Sequence, residues 1–300
     1  MKKEELIIID AHAHLWEKQD TIVDGQPIYS LQGNASRSMF FGEEVQMLPP
    51  FMIDGRNTAE VFLSNMDYAC VSAAVVVQEV IDGNQDEYLL KVQGQYPNRF
   101  LCCGLMTGAF DVNAPLLFDA YAMPGHRITT PLNSDDMMAT FKRLEREGKI
   151  LDMCLADDEK QIAQFDEVLT ECPDLKVAIG HFGMVTTTNW KRQIMLARHK
   201  NVMVESGGIT WLYNSEYYPY PSAVRSIKEA ADMVGMEKLM WGSDYPRTIT
   251  AITYKMSYDF IIKSADMSDG DKALFLGRNA ENFYGFKDII RVKKIKNMSE

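Results

Sequence analysis

Three short stretches hold side chains able to do chemistry. Asp10-Ala11-His12-Ala13-His14 follows an apolar run at residues 6–9. On an extended strand residues i and i+2 project to one side, so His12 and His14 face the same way and their rings can share one divalent ion. Gly180-His181-Phe182-Gly183 ends a second run at 176–179, where the glycines let backbone crowd the histidine. Trp241-Gly242-Ser243-Asp244-Tyr245-Pro246 ends a third, at 238–241, and supplies one carboxylate. Imidazoles and a carboxylate around one cation are the parts that lower the pKa of a water molecule, take its proton and later hand it to the leaving group. Singly, each stretch has a plainer reading: two histidines on a solvated loop, a structural histidine, an N-cap aspartate. Together they put three of the chain's five histidines and an aspartate at the ends of apolar runs, a coincidence that the plainer readings do not explain.

These side chains converge only if the runs belong to one sheet. Eight short apolar, β-branched runs recur, at 6–9, 72–77, 100–106, 126–130, 150–155, 176–179, 201–204 and 238–241. Longer amphipathic segments separate most of them, at 58–68, 85–95, 135–147, 160–171, 190–199 and 222–234, with closing helices expected at 254–264 and 268–284. Eight parallel strands with crossover helices close a barrel, so the sequence predicts a single-domain α/β protein over residues 1–300, a (β/α)8 TIM barrel. The three motifs then sit at the C-terminal ends of the first, sixth and eighth strands, around one pocket. A doubly wound sheet is the competing architecture, but no glycine-rich phosphate loop follows any of the strands. Residues 15–54, rich in Gly, Pro and polar side chains without a clear period, are expected to form a lid or binding loop over the barrel mouth. The basic tail at 287–300 reads as a solvated terminal helix.

Composition narrows the partners. A formal net charge of −11 repels phosphate backbones and anionic lipid, which disfavours nucleic acid and membrane surfaces. The five cysteines are odd in number and lack CxxC spacing, so neither a disulfide framework nor a zinc knuckle is indicated. The apolar stretch near the N-terminus is too short for a signal-peptide core or a membrane span, and a cytoplasmic enzyme is expected.

The DAHAH, IGHFG and WGSDYP segments resemble the corresponding motifs of the amidohydrolase superfamily, in its amidohydrolase 2 branch, and the resemblance runs from Leu6 to about Phe286. It implies that His12 and His14 ligate metal, that His181 binds metal or acts on the substrate, and that Asp244 ligates metal and accepts the proton of the attacking water. Binuclear members carry a bridging lysine or glutamate after the fourth strand and a histidine after the fifth. This chain offers His126-Arg127 and Leu151-Asp152-Met153-Cys154 there, which argues against a two-metal site. The fifth-strand histidine of mononuclear members is also missing, with Cys154 and Asp157 as the nearest substitutes. Two pictures remain open. In one, a single Zn²⁺, or Mn²⁺, is held by His12, His14 and Asp244 with His181 close by. In the other, resembling the branch's lactonases of pyrone dicarboxylates and sugar acids, metal is weak or dispensable.

Those lactonases act on carboxylate-bearing rings, and Arg127 is the candidate clamp for such a carboxylate, beside His126. Gln78 and Glu79 end the second strand and either line the pocket or cap a loop. Arg247 reaches an anionic substrate or makes a structural salt bridge. His199 reads as a favourable charge at a helix C-terminus and is left out of the site. The aromatic stretch from Trp211 to Tyr220 forms a pocket wall, ordinary packing or a subunit contact, and a homo-oligomer stays open. The leading expectation is hydrolysis of a small carboxylated substrate, a lactone or another cyclic ester, by activated water. Metal-dependent decarboxylation of a small unsaturated or aromatic acid is the alternative. A barrel without catalysis, serving as a binding protein, is the third reading.

Overall fold

The computed structural model describes residues 6–111 and 113–298. In chain order, β1 (Ile9–Ala13) is followed by four short strands, β2 (Asp20–Val23), β3 (Gln26–Ser30), β4 (Arg37–Phe40) and β5 (Glu43–Gln46). Next come α1 (Ala59–Ala69), β6 (Ala73–Val76), α2 (Asp86–Gln95), β7 (Phe100–Leu105), β8 (Ala120–Met123), α3 (Asp135–Arg146), β9 (Ile150–Met153), α4 (Glu159–Glu171) and β10 (Lys176–Ile179). The last part holds α5 (Trp190–Met195), β11 (Val202–Glu205), α6 (Ile209–Leu212), α7 (Pro221–Val234), β12 (Leu239–Met240), α8 (Met256–Lys263), α9 (Asp269–Ala273) and α10 (Asn279–Tyr284).

Eight strands, β1 and β6 to β12, pair in sequence order and in parallel. The seam between last and first strand is stitched by backbone bonds: Ala11 N donates to Trp241 O at 2.9 Å, Asp244 N to His12 O at 2.9 Å and His14 N to Tyr245 O at 2.7 Å. The result is the (β/α)8 barrel. Its parallel strands are buried on both faces, which is why they read as apolar runs rather than alternations. Alternate residues such as Ile9, Ala11, Ala73, Val75, Cys103, Ala122, Ile150, Ala178 and Met240 form an inner cluster around the axis, together with Phe283 and Tyr284 from α10. A larger cluster, with Phe62, Leu89, Phe141, Phe165 and Trp241, fills the layer between strands and helices. No helix among the described residues is long and apolar enough to cross a membrane.

The structure corrects four expectations. The fourth barrel strand is β8, not residues 126–130. Gly125–Arg127 is instead one 3₁₀ turn, so His126 and Arg127 follow the strand rather than begin it. The Ala-Tyr-Ala-Met segment lacks the β-branched residues that advertise a strand, whereas Ile128, Thr129 and Thr130 carry them. The first strand is displaced toward the C-terminus, so that DAHAH lies in and just beyond it rather than after it. Residues 15–54 are not irregular: β2 to β5 form an antiparallel meander. Its tight turns at Asp24-Gly25 and Phe41-Gly42 take positive φ at both central residues, 51° and 75° in one, 50° and 89° in the other, the geometry that suits the twist of a two-residue hairpin. Residues 287–298 form no helix; Ile295, Lys296 and Asn297 instead lie along α1 beside Tyr68. Positions 299 and 300 of that tail lie outside the described residues.

Candidate active site

At the C-terminal end of the barrel, His12, His14 and Asp244 bring one ligand atom each to within 4.8 Å of one another, all three side chains buried. His14 Nδ1 lies 3.0 Å from Val77 O. A carbonyl only accepts, so Nδ1 carries the ring proton and Nε2 a lone pair. That lone pair sits 2.8 Å from Asp244 Oδ1 and 3.2 Å from His12 Nε2. Burial lowers the pKa of His14 and of His12 to about 4, assisted at His14 by the charge of Arg247, so both rings are neutral near pH 7. Burial alone would raise the Asp244 carboxyl. The Arg247 guanidinium beside it works the other way, and the carboxyl lies well below the usual carboxylate range. Two neutral imidazole nitrogens and a carboxylate oxygen thus converge, an arrangement that could hold a cation. The N, N, O donor set suits Zn²⁺ and Mn²⁺.

His181 stands beside this set, its ring 4.6 Å from that of His12, and is not one of the three converging groups. Its Nδ1 donates to Gly207 O at 2.9 Å, which leaves Nε2 as the free nitrogen. Both His181 and Asp244 hold left-handed backbone, φ 52° and 58°, and Phe182, Gly183 and Met184 continue it. Such conformations cost free energy and cluster where side-chain placement matters more than local comfort.

The cavity above these residues measures about 470 Å³. Glu79, His126, Arg127 and Arg247, expected to bind substrate, all line it, as do Gln78, Cys154, Asp157 and Trp211. Glu79 also caps its own loop, accepting from Val80 N at 2.8 Å. Arg247 lies against Asp82, 2.8 and 3.1 Å from its two oxygens, and 3.7 Å from Asp244, yet its Nη1 has no hydrogen-bond partner among the described residues. Arg127 lies 3.5 Å from Glu79, and both hairpin tips reach it: Asp24 at 3.2 Å and the Phe41 ring 5.7 Å from the guanidinium. His126 lies 3.8 Å from Glu79. Burial, then the charge of Arg127, lowers its pKa against the opposing pull of Glu79. Neither Cys154 nor Asp157 joins the converging set; Asp157 accepts from Asn189 N at 2.8 Å instead.

An amidohydrolase family model matches residues 9–286. The chain belongs to the amidohydrolase family. No curated protein matches this amidohydrolase, but solved structures share its fold. One is a probable 2-pyrone-4,6-dicarboxylic acid hydrolase from Acinetobacter baumannii with citric acid bound (TM-score 0.67, 19% identity, covering 93% of this chain and 99% of that one). Another is an amidohydrolase from Burkholderia multivorans with bound zinc (TM-score 0.65, 15% identity, 93% and 99% covered). A third is a 5-carboxyvanillate decarboxylase from Novosphingobium aromaticivorans in complex with manganese and 4-hydroxy-3-methoxy-5-nitrobenzoic acid (TM-score 0.61, 14% identity, 95% and 97% covered).

In this amidohydrolase several residues that support the converging set have no role assigned to them in the motifs. Glu205, fully buried at the end of β11, places Oε1 3.0 Å from His12 Nδ1, though out of line for a hydrogen bond, and accepts from His181 N at 2.7 Å and Gly207 N at 2.5 Å. Burial raises it to about 7. Asp10, also pushed up to about 7 by burial, accepts from Ser243 N, Ser243 Oγ and Tyr254 Oη and so clasps the eighth strand's loop to the first strand. Trp211 Nε1 donates to Asp244 Oδ2 at 2.6 Å, orienting the carboxylate from the aromatic stretch. Alternation along β11 places Glu205 on the same face as Met203, a signal the sequence does contain. That its partner would be His12 depends on barrel closure.

Proposed function

We propose that this protein is a hydrolase that opens a lactone or another cyclic ester of a small carboxylated compound with activated water. The observation that carries the reading is the meeting of His12 Nε2, His14 Nε2 and Asp244 Oδ1 at one buried point of the cavity wall. These residues would hold one divalent ion, Zn²⁺ first and Mn²⁺ second, with His181 beside them. When bound, such an ion supplies Lewis acidity and a water of lowered pKa. Asp244, ionised across the neutral range, takes the proton of the attacking water. Trp211 and His14 fix the direction in which its lone pairs point. His181, with its free Nε2 in the cavity wall, accepts a hydrogen bond from the substrate or the water.

Arg127 and Arg247, with His126 and Glu79 between the rim and the loop after β6, form the side that receives the substrate's carboxylate. Arg247 Nη1, which has no hydrogen-bond partner among the described residues, supports this, because a buried guanidinium N–H gains most from a carboxylate oxygen. The meander of β2 to β5 acts as a lid on the single barrel domain, fastened at Arg127.

Decarboxylation of a small acid would use the same groups, and a manganese-bound decarboxylase shares the fold. One panel of carboxylated lactones and aromatic acids separates the two, scored in parallel for acid production and for carbon dioxide release. Acid production without carbon dioxide is expected. Carbon dioxide release with no ring opening would replace the hydrolase reading by the decarboxylase one.

A further inference from the structure

Asp152, on β9, lines the same cavity as His12, His14 and Asp244 but stands outside the converging set. It is 2% exposed, and its Oδ2 has no hydrogen-bond partner among the described residues. Its register partners on the two neighbouring strands are alanines, Ala122 on β8 and Ala178 on β10, which bring neither charge nor a hydrogen-bonding side chain to the carboxyl. A buried polar atom without a partner is costly, and one retained at the wall of a reaction cavity is suited to a bond that forms only with substrate present.

Building on the hydrolase reading above, we propose that Asp152 is the acid of the reaction, giving its carboxyl proton to the ring oxygen as the ester opens. The attacking water forms the new acyl C–O bond and loses one proton to Asp244. The ring C–O bond breaks with its electron pair on the ring oxygen, and that oxygen takes the proton of Asp152. A hydroxy acid results, and the proton on Asp244 returns to Asp152 through water. Burial, then the neighbouring Glu205 carboxyl, pushes the pKa of Asp152 well above the ordinary carboxylate value, the direction that a proton donor requires. The other groups that feel its charge, Cys103, Cys154 and Tyr284, are held neutral by burial.

Two lactones separate this role from a structural one. The ring oxygen of δ-valerolactone leaves as an aliphatic alkoxide and needs a proton; that of dihydrocoumarin leaves as a phenolate and does not. Asp152→Asn is expected to lower kcat/KM about 100-fold or more on the first and less than about tenfold on the second, since general acid catalysis contributes that much only to a poor leaving group. Equal losses on both lactones, or none on either, would overturn the proposal. If the wild type opens neither of these nor any lactone of the carboxylated panel, the hydrolase reading fails separately, and Asp152 is then read by infrared difference spectroscopy with citrate as probe. A neutral-acid carbonyl band that citrate shifts and Asp152→Asn removes supports the donor, whereas a missing or unmoved band overturns it. Asp152→Ser serves for both readings if the asparagine variant does not fold.

Discussion

His14 Nε2 and Asp244 Oδ1 lie 2.8 Å apart although 230 positions separate them in the chain. With the other nitrogen of His14 committed to Val77 O, this contact joins two acceptors, and an ion is what reconciles them. Asp244→Asn keeps the shape and removes the charge. It is expected to lower kcat/KM by about 10²–10⁴-fold, the usual contribution of a positioned base, and to reduce the metal retained after dialysis. Steady-state kinetics and elemental analysis of one preparation check both, and undiminished turnover would leave Asp244 without a catalytic role.

Chelation gives an independent reading. Protein dialysed against a strong chelator should lose activity and regain it on addition of about one equivalent of Zn²⁺ or Mn²⁺, because a three-ligand set with an open position holds one ion. Full activity after complete removal of metal would favour the metal-free picture of the lactonase-like enzymes. Recovery that needs two equivalents would contradict the departures seen after the fourth and fifth strands.

The buried ionisable groups act on stability with opposite signs. In ion-free protein His12 and His14 stay neutral down to about 4, while in the unfolded chain they take up protons below the ordinary 6.5, so their burial destabilises the fold increasingly as pH falls through that window. Asp10, raised to about 7, keeps its proton where the unfolded chain has lost it. Its contribution is therefore fully present below about 4 and is lost as pH rises toward 7. Asp10→Asn removes only the second effect. Relative to wild type, the urea midpoint of the variant should improve steadily from about pH 4 to about pH 7. Parallel profiles for the two proteins would show that Asp10 is not held in its neutral form.

Gly242 and Gly207 keep space for the His12–Glu205 contact. A Cβ at Gly242 would lie 2.5 Å from Glu205 Oε2 and 2.7 Å from His12 Cβ; one at Gly207, 2.8 Å from His12 Cγ. Gly242→Ala should cost about 1–3 kcal/mol by overpacking. It should also weaken metal binding about 10–100-fold, through displacement of a group that supports a ligand. Thermal melting and metal titration read the two effects separately, and unaltered metal affinity would show that Glu205 and His12 can move apart freely.

Much of the site was legible because it is written in local motifs at strand ends. DAHAH and WGSDYP name three groups that do converge, and the glycine-flanked His181 sits beside them. What could not be read were side chains whose partners lie on other strands: Glu205, Asp10 and Asp152 look like ordinary acids until closure buries them. The missed fourth strand has a physical cause too, since alanines facing the crowded axis replace the β-branched residues that mark a strand elsewhere. The meander was overlooked for a different reason. Its strands are four or five residues long and largely exposed, leaving only Asp24-Gly25 as a turn signal.

Arg127 holds both hairpin tips of that meander. Arg127→Ala should raise the rate of limited proteolysis at Asp24-Gly25 and Phe41-Gly42 about two- to fivefold, the effect of losing a partly exposed ion pair worth up to about 1 kcal/mol. Cleavage at an unchanged rate would mean that the tips are held by the rest of the meander.

The seam between β1 and the loop after β12 joins the first and last strands of the barrel, and the ligand candidates sit on it. During synthesis the imidazoles emerge more than two hundred residues before the carboxylate. A chain that stops short of Asp244 cannot bring the three candidate ligands together, so any metal uptake would mark the moment at which the last strand docks and the ring of strands is whole.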